Sequence, residues 1–262
     1  MGGGHAAAAL CACLAEAGQG SRVHLVSAES ELPYQRPPLS KSFLKKADET
    51  IAPHKAASWY AEQGIQTHLG DPVVAVDRAA QRVSLRSGTT LAYEKLVLAT
   101  GTRARTLEAL PPELVNVHVL RDAAHARRLR TRLGEMVAAG QPLTVLGGGF
   151  IGLELAASAR QLGLAVTVLE VAPRLLGRSV SEALAGHVLA HHQGMGTVVK
   201  TGVVMEGFEF QDGRLVAMQV DGHRMAVDEL VPSVTSRLAR KVGLLDERRC
   251  CAGTSAIRPP PV

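Results

Sequence analysis

The feature that most constrains this chain is a succession of strand, glycine turn, helix and strand at residues 143–170. The apolar run Leu143–Leu146 leads into the turn Gly147–Gly152, which has the spacing G-x-G-x-x-G. A helix is predicted over Ile151–Leu162 and a second strand over Ala165–Glu170. In such a turn the first glycine permits the tight bend, the second lets the backbone approach a pyrophosphate, and the third lets helix and strand pack closely. The pattern predicts a parallel βαβ unit that binds a dinucleotide at the start of its helix.

An acidic residue at the end of this unit predicts which dinucleotide is preferred. Glu170 closes the second strand about 20 residues after the glycine turn, where a carboxylate meets the ribose. A carboxylate there hydrogen-bonds a 2′-hydroxyl and repels a 2′-phosphate, so NADH is favoured over NADPH. Arg174 follows soon after, and its positive charge weakens this preference.

The same pattern occurs a second time, at the beginning of the chain. The run Gly2–Ala7 repeats the spacing with alanine in place of the third glycine, an exchange that the motif allows. A predicted helix, Ala6–Ala17, a predicted strand, Arg22–Ser27, and the acid Glu29 follow in the same order. The sequence begins directly at this motif, so the strand that should precede it is expected to be missing. A glycine-rich N-terminal tail is the alternative interpretation.

Strands and helices alternate along most of the chain, which indicates an α/β fold. Further predicted strands are Val73–Val76, Arg82–Leu85 and Lys95–Ala99. Further predicted helices are Ala56–Gln63, Ala123–Ala139 and Ser181–His192. After Thr201 a β-meander is predicted, with strands Val203–Phe210, Arg214–Val220 and His223–Leu230. Two nucleotide-binding units in one chain mean either two nucleotides or one duplicated domain.

Composition argues against several other classes of function. The net charge is +5 at pH 7, but no aromatic residues interleave with the densest basic cluster, Arg127–Arg132, which is interpreted as a solvated helix face. A nucleic-acid partner is therefore not expected. A membrane span is not expected either, because no apolar stretch approaches the required length. The cysteines Cys11, Cys13, Cys250 and Cys251 lack zinc or Cys-x-x-Cys spacing, so we expect no metal site, no disulfide framework and a cytoplasmic location.

Two further segments are typical of one family. Leu32–Lys41 stands between the two units and contains P-Y-x-R-P-P-L-S-K, and Leu96–Gly101 follows later. Together with the paired nucleotide units, these segments make residues 2–230 resemble the oxygenase-coupled ferredoxin and rubredoxin reductases. That family is part of the pyridine nucleotide–disulfide oxidoreductase superfamily.

The resemblance implies a fold and a domain order. The fold is α/β with two Rossmann-like dinucleotide-binding domains, the NAD unit inserted in the FAD unit and each unit carrying a β-meander. The implied domains are residues 1–111, an FAD-binding domain without its first strand, residues 112–232, an NAD-binding domain, and residues 233–262, a partial return to the FAD domain. The family's C-terminal interface domain is expected to be absent.

The motifs and the resemblance together predict the residues that hold the cofactors. Lys41 would reach the flavin, where its ammonium group can stabilise negative charge, and Glu154 matches a position near the nicotinamide. The predicted FAD contacts are Gly2, Gly4, Ala6, Glu29, Arg36, Lys41, Val73, Thr100, Gly101 and Arg121. The predicted NAD(H) contacts are Gly147, Gly149, Ile151, Gly152, Glu154 and Glu170. Ordinary surface cations are the alternative for Lys41 and Arg121.

The implied activity is that of a flavoprotein oxidoreductase. NADH would pass a hydride to FAD, and single electrons would leave for a ferredoxin- or rubredoxin-type partner. No cysteine lies between Cys13 and Cys250, so the electrons would not pass through an internal disulfide, and no catalytic side chain is predicted. The alternatives are a truncated, catalytically inactive nucleotide-binding paralogue and a member of the same superfamily with another acceptor.

Overall fold

The chain divides into two compact units. The computed structural model describes residues 1–104, 107–177, 179–233 and 237–238. The first unit contains Met1–Tyr34 and Pro53–Gly101, and the second contains Gln35–Ala52 and Thr102–Arg237. Cys250, Cys251 and most of the predicted third segment, 233–262, lie outside the described residues.

The elements are mostly short. The α-helices are α1 (His5–Glu16), α2 (Ser42–Lys45), α3 (Ala57–Glu62), α4 (Ala123–Ala139), α5 (Phe150–Gln161) and α6 (Glu182–Gly194), and 3₁₀ turns occur at Gly20–Arg22 and Pro37–Ser40. The β-strands are β1 (His24–Val26), β2 (Gln66–His68), β3 (Val73–Asp77), β4 (Arg82–Leu85), β5 (Thr90–Ala92), β6 (Thr102–Arg103), β7 (Leu143–Leu146), β8 (Val166–Glu170), β9 (Val198–Thr201), β10 (Met205–Gln211), β11 (Arg214–Val220), β12 (His223–Ala226), β13 (Glu229–Pro232) and β14 (Arg237–Leu238).

A four-stranded parallel sheet in the order β13-β7-β8-β9 forms the centre of the second unit. Strands β7 and β8 pair from Leu143 opposite Val166 to Leu146 opposite Leu169. Every residue of β7 is buried, as expected for a parallel strand covered on both faces. The sheet therefore brings the carboxyl ends of β7 and β8 to one edge, beside the glycine turn that follows β7.

A three-stranded antiparallel meander, β10-β11-β12, belongs to the same unit. Its hairpins turn at Asp212-Gly213 and Asp221-Gly222, and all four residues have positive φ, as type I′ turns require. The prediction of one strand over His223–Leu230 is wrong. Strand β12 ends at Ala226, and Glu229–Pro232 joins the parallel sheet, because its four residues are all buried and do not alternate between two faces.

The first unit contains a two-stranded parallel sheet, β1-β2, and an antiparallel meander, β3-β4-β5. Successive side chains of β1 point to opposite faces. Leu25 packs in a buried cluster with Ala7 and Cys11 of α1, whereas Val26 packs with Val83 of the meander. Strand β1 is therefore covered by a helix on one face and by the meander on the other.

The first two residues of the chain lie between two segments of the first unit. The amino group of Met1 donates to the carbonyl oxygen of Val97 at 2.9 Å. The N–H of Ala99 donates to the carbonyl oxygen of Met1 at 2.8 Å, and the N–H of Gly2 donates to that of Val26 at 2.8 Å. Met1 thus bonds to the segment around Val97, and Gly2 bonds to the end of β1.

The predicted strand Lys95–Ala99 is wrong. No strand is assigned over these described residues, because the two bonds that Val97 and Ala99 make with Met1 do not build a ladder. Val97 and Leu98 consequently remain 48% and 44% exposed.

Candidate cofactor-binding sites

The second unit presents an open helix N-terminus after β7. Helix α5 begins at Phe150, Gly149 is its N-cap, and Ile151 lies in its first turn; no described side chain caps it. A Cβ atom on Gly149 would meet no described atom within 4 Å, so space for a ligand remains beside the helix end. A Cβ atom on Gly152 would instead lie 2.2 Å from the carbonyl oxygen of Gly147, so the helix can pack on the turn only with glycine there. Unpaired N–H groups and the helix dipole favour a phosphate at such an end.

Glu170, at the end of β8, lies against the same turn. Its carboxylate accepts hydrogen bonds from the N–H groups of Gly148 at 2.6 Å and Ala172 at 2.7 Å. A Cβ atom on Gly148 would lie 2.4 Å from the end of the Leu175 side chain, which would have to shift to admit a larger residue. The structure therefore places the acid beside the glycine turn, and its contact with a ribose stays a prediction.

Arg174 is bound within its own loop. Its guanidinium group donates to the carbonyl oxygens of Gly177 at 2.8 Å and Val180 at 2.9 Å. These two bonds direct Arg174 toward the backbone of the loop that follows β8. The weakening of NADH preference ascribed to this arginine remains a prediction.

Lys41 and Glu154, which are far apart in sequence, meet in the second unit. The Nζ atom of Lys41 lies 3.0 Å from Oε1 of Glu154, and the two side chains are 50% and 30% exposed. The hydroxyl group of Ser40 donates to Oε2 of Glu154 at 2.5 Å. The hydroxyl group of Ser158 donates in turn to the carbonyl oxygen of Ser40 at 2.8 Å. Both carboxylate oxygens thus have a partner, and the lysine ammonium group is held in a defined position.

Arg36 and Arg121 also come together in this unit. Arg36 donates to the carbonyl oxygen of Arg121 at 3.0 Å, and Arg121 donates to that of Thr102 at 3.0 Å. The adjacent Asp122 caps α4 by accepting from the N–H of His125 at 2.8 Å. Burial acts to raise the pKa of Asp122, but the hydrogen bonds from His125 outweigh it and hold this pKa below its usual value. The two arginines are therefore fixed by backbone contacts next to a negative charge.

The first unit also has an open helix N-terminus, like that of α5 in the second unit. Helix α1 begins at His5, Gly4 is its N-cap, and Ala6 lies in its first turn; among the described side chains none caps it. A Cβ atom on Gly4 would find no described atom within 4 Å. Gly2 has φ of 110°, and a Cβ atom there would lie 2.1 Å from the carbonyl oxygen of Ala99. The motif glycines thus have the same two roles as in the second unit, one leaving space and one permitting a close approach.

Glu29 is oriented differently from Glu170. Its carboxylate accepts from the hydroxyl group of Tyr34 at 2.5 Å, and its own N–H donates to Oγ of Ser27 at 3.1 Å. The acid stands after β1, at the carboxyl end of that strand, as the motif predicts.

The remaining predicted FAD contacts of the first unit lie in two places. The backbone N of Thr100 is 3.0 Å from the Cβ position of Gly2, so these two residues are neighbours. Gly101, with φ of 63°, lets the chain turn away. Val73 is the first residue of β3 and pairs with Leu85, far in sequence from the turn at Gly101.

Sequence reasoning did not single out Ser40, Ser158 or Tyr34. Ser40 and Tyr34 stand inside the P-Y-x-R-P-P-L-S-K signature, so the signal was present. Ser158 follows Glu154 by one helical turn, and i,i+4 spacing places both on one face of α5. That spacing alone names no partner, because Ser40 is distant in sequence.

Two general observations bear on other functions. In the part of the chain that the structure describes, no three histidine, cysteine, aspartate or glutamate side chains come close enough together to hold a metal ion. None of the described helices combines the length and the apolar character that crossing a bilayer requires.

Residues 1–247 match the family described as pyridine nucleotide-disulphide oxidoreductases. The chain belongs to this family. Its α/β fold of Rossmann type and the resemblance inferred from the signature are thereby confirmed.

The relatives that this chain resembles in sequence are named as reductases. The ferredoxin–NAD(+) reductase component of the anthranilate 1,2-dioxygenase system of Burkholderia cepacia is 45% identical over 204 residues, which cover 77% of this chain and 49% of that protein. Terpredoxin reductase of a Pseudomonas species is 39% identical over 256 residues, 97% of this chain and 61% of that protein. The chain thus spans between about half and three fifths of these relatives.

Solved structures give the same likeness. A ferredoxin reductase from Rhodopseudomonas palustris superposes with a TM-score of 0.83 at 34% identity, over 90% of this chain and 57% of that one. Putidaredoxin reductase, in its covalent complex with putidaredoxin, superposes with a TM-score of 0.77 at 30% identity, over the same shares of the two chains.

Proposed function

We propose that this chain carries the nucleotide-binding part of an NADH-dependent flavoprotein reductase. Hydride from NADH would reduce FAD, and electrons would then pass singly to a ferredoxin- or rubredoxin-type iron–sulfur protein. The contact of Lys41 with Glu154 at 3.0 Å carries the proposal. The family resemblance assigns one of these residues to the flavin and the other to the nicotinamide, and the relatives named above are reductases of this kind.

The second unit fits NAD(H). The N-terminus of α5 would hold the pyrophosphate beside Gly149, and Glu170 would accept a hydrogen bond from the ribose 2′-hydroxyl. The Glu170 carboxylate already has its position fixed by two backbone N–H groups, which is what a specific contact needs. The same negative charge would disfavour the 2′-phosphate of NADPH.

The first unit fits the ADP part of FAD. The N-terminus of α1 beside Gly4 would hold the diphosphate, Glu29 a ribose hydroxyl, and the backbone near Val73 the adenine. FAD, when bound, supplies the conversion between a two-electron donor and a one-electron acceptor. Lys41 would stabilise negative charge on the flavin ring, and Glu154 with Ser40 would orient the lysine.

The proposed acceptor follows from chemistry and from the relatives. A net charge of +5 favours an acidic partner, which suits a small acidic iron–sulfur protein. The described cysteines are Cys11, which is buried, and Cys13, which is exposed, and no cysteine lies between Cys13 and Cys250 to form a redox disulfide beside the flavin. We place the protein in the cytoplasm, where such thiols stay reduced.

The domain assignment is part of the same proposal. Residues 1–111 would bind FAD and residues 112–232 would bind NAD(H), with residues 233–262 beginning the return to the FAD domain. The compact units divide near residue 101 instead, and the segment Gln35–Ala52 groups with the second unit.

One observation favours a second function, a nucleotide-binding chain that transfers no electrons. Val97 and Leu98 of the first unit are 48% and 44% exposed, beside the residues that carry its glycine motif. A weakened first unit would lose FAD while the second unit still binds NAD(H). A third function, reduction of another acceptor by the same chemistry, is distinguished by screening acceptors.

The visible absorbance spectrum of the purified chain tests these functions. With FAD added, and then NADH under anaerobic conditions, the reductase predicts a flavin band that bleaches. Binding of NADH without any flavin band would instead support the non-enzymatic function.

A further inference from the structure

Two histidine side chains meet on the two-stranded parallel sheet of the first unit. Val26 of β1 pairs with His68 of β2, so the side chains of these two residues lie on one face of the sheet. His24 stands two residues before Val26 and therefore points to the same face. Nδ1 of His24 lies 3.1 Å from Nε2 of His68, and the ring centroids are 5.3 Å apart with planes at 21°. The two rings thus face each other edge to edge across neighbouring strands.

The backbone on both sides of this histidine pair is held by hydrogen bonds between the two strands. The N–H of Ser27 donates to the carbonyl oxygen of His68 at 2.8 Å. The N–H of Gln66 donates to the carbonyl oxygen of Val23, the residue before His24, at 3.0 Å. Side chains that stand on paired strands keep their separation, which reduces the entropy lost when an ion binds between them.

The charges near the pair favour a cation. Asp71 interacts electrostatically with the ring of His68. Its carboxylate is held in place by Ser87, whose N–H donates at 2.9 Å and whose hydroxyl group donates at 2.6 Å. Arg22, just before β1, pairs with Glu94 at 2.8 Å, so its positive charge has a partner. A carboxylate thus lies near the two rings and adds to their attraction for a positive ion.

The separation of the two ring nitrogens suits a metal ion. A hydrogen bond between two imidazole nitrogens needs one donor and one acceptor, so at least one ring is neutral, and a neutral ring has a lone pair for a metal. Two metal–nitrogen bonds of about 2.0–2.1 Å that meet at about 100° span about 3.1 Å, and this angle lies between the tetrahedral and the octahedral values. Rotation about χ2, whose minima are broad, turns both lone pairs toward one point.

We propose that His24 and His68 bind a divalent transition-metal ion between β1 and β2, through Nδ1 of His24 and Nε2 of His68. The ion takes the place of the shared proton. Each neutral ring keeps one proton, on Nε2 of His24 and on Nδ1 of His68, so none is released. Water completes the coordination, because the protein supplies two ligands. Imidazole suits Ni²⁺, Cu²⁺ and Zn²⁺, whereas Mg²⁺ and Ca²⁺ prefer oxygen.

The bound ion would link the two strands and stabilise the first unit. This inference goes beyond the proposed reductase function and does not depend on it. Unfolding in urea tests it, because the single tryptophan, Trp59, belongs to this unit and packs against the cluster that contains Leu25 of β1. Tryptophan fluorescence therefore reports on the part of the chain that the ion would stabilise.

The probe is Ni²⁺, added to the purified chain without a histidine tag at concentrations from about 1 µM to about 1 mM, with Mg²⁺ as the comparison. An ion that binds the folded chain raises the urea concentration at the midpoint of unfolding. Above the dissociation constant, each tenfold increase in free Ni²⁺ is expected to raise the midpoint by about 0.5 M urea. Mg²⁺ is expected to leave the midpoint unchanged.

Three variants locate the ion. His24→Gln and His68→Gln are each expected to lose the rise with Ni²⁺, because one imidazole alone lacks the second, intramolecular bond. Either variant decides the question if the other does not fold. His191→Gln is the matched control, because His187 and His191 lie one turn apart on α6 of the second unit. It removes another pair of histidines, and its midpoint is expected to rise with Ni²⁺ as in the parent.

The opposite results would overturn the inference. A midpoint that Ni²⁺ does not raise in the parent chain shows that no such site exists. A rise that persists unchanged in His24→Gln or His68→Gln, or that is lost in His191→Gln, places the ion elsewhere. The measurement involves no flavin, so each of these failures leaves the proposed function of the first unit as the FAD site untouched.

Discussion

Glu170 is the residue on which the nucleotide preference of the second unit depends. A hydrogen bond to a charged group is worth about 1.5–3 kcal/mol, so we expect Glu170→Ala to bind NADH about 10- to 100-fold more weakly. NADPH, which the carboxylate repels, should lose little or gain. Fluorescence titration with both nucleotides measures the ratio. Glu206→Ala, an exposed position on β10, is the control, and an unchanged ratio in Glu170→Ala would show that this acid does not contact the ribose.

Substitution of Lys41, which pairs with Glu154, should affect activity much more than stability. Both side chains are partly exposed, so their ion pair contributes no more than about 1 kcal/mol to folding. If the lysine stabilises charge on reduced flavin through one charge-assisted hydrogen bond, Lys41→Met should slow flavin reduction by NADH about tenfold or more. Anaerobic stopped-flow absorbance measures that rate.

Lys45→Met is the matched control for this test. Lys45 lies in the same segment and donates to Gln161 at 2.6 Å, away from Glu154. Equal rates for the two variants would mean that Lys41 has no special role. A large loss of stability in Lys41→Met alone would point to a structural role instead.

At the scale of elements, the sequence predicts those helices whose ends are set by their own cap residues. Helix α4 runs from Ala123 to Ala139 as expected, because Asp122 caps its start and Gly140, with φ of 64°, ends it. Strands β2 and β9 were missed, since Gln66–His68 and Val198–Thr201 are short and largely exposed and become strands only by pairing with a neighbour.

In the candidate sites too, features set by neighbouring residues could be predicted, and contacts between distant segments could not. The glycine turns could be predicted because each glycine's role is set within a few residues of chain. The contacts of Ser40 with Glu154 and of Tyr34 with Glu29 depend on how segments fold together. Lys95–Ala99 has the composition of a strand, but its backbone bonds at Val97 and Ala99 are to Met1, and no property of its own residues reveals that.

Glu229 connects the elements of the second unit. Its side chain is 1% exposed. The carboxylate accepts hydrogen bonds from Arg132 of α4 at 2.5 Å and from Arg214 of β11 at 3.1 Å. It also lies 2.5 Å from the ring of His118. Burial acts to raise its pKa, but hydrogen bonds from His118 and Arg132 outweigh it and lower the pKa from 4.5 to about 2. The folded-state pKa is therefore below the unfolded one. This stabilisation is present above about pH 4.5 and is lost as pH falls toward about 2.

We expect Glu229→Gln to lower the free energy of unfolding by about 1.5–3 kcal/mol at neutral pH, because Arg132 and Arg214, which are partly exposed, lose the buried carboxylate to which they donate. The variant should also lose the part of the acid sensitivity that Glu229 causes. Urea unfolding at about pH 7 and about pH 3.5, followed by circular dichroism, measures both. Circular dichroism is needed because the single tryptophan, Trp59, lies in the first unit.

Glu209→Gln provides the comparison for this residue. Glu209 pairs with Arg224 at 2.9 Å on the meander, and because both side chains are exposed the pair is worth no more than about 1 kcal/mol. Similar losses in the two variants would contradict the central position given to Glu229.

The two units differ in the number of paired parallel strands among the described residues. The second has four paired parallel strands around its glycine turn, whereas the first has two, with Met1 and Gly2 beside them. A nucleotide site depends on the sheet that positions its turn. The first unit, and with it the binding of FAD, should therefore respond more strongly than the second to changes at the N-terminus.

A strand of five apolar residues added before Met1 tests this dependence. It should pair with β1 on one side and with the segment around Val97 on the other, and cover Val97 and Leu98, which are 48% and 44% exposed. Burying about half of each side chain stabilises the unit by about 2 kcal/mol, so FAD should bind about tenfold or more tightly if folding of this unit limits its affinity. A glycine–serine extension of equal length is the control, and NADH affinity should be the same in both proteins. Equal FAD affinity in the two extended proteins would mean that the open sheet does not limit flavin binding.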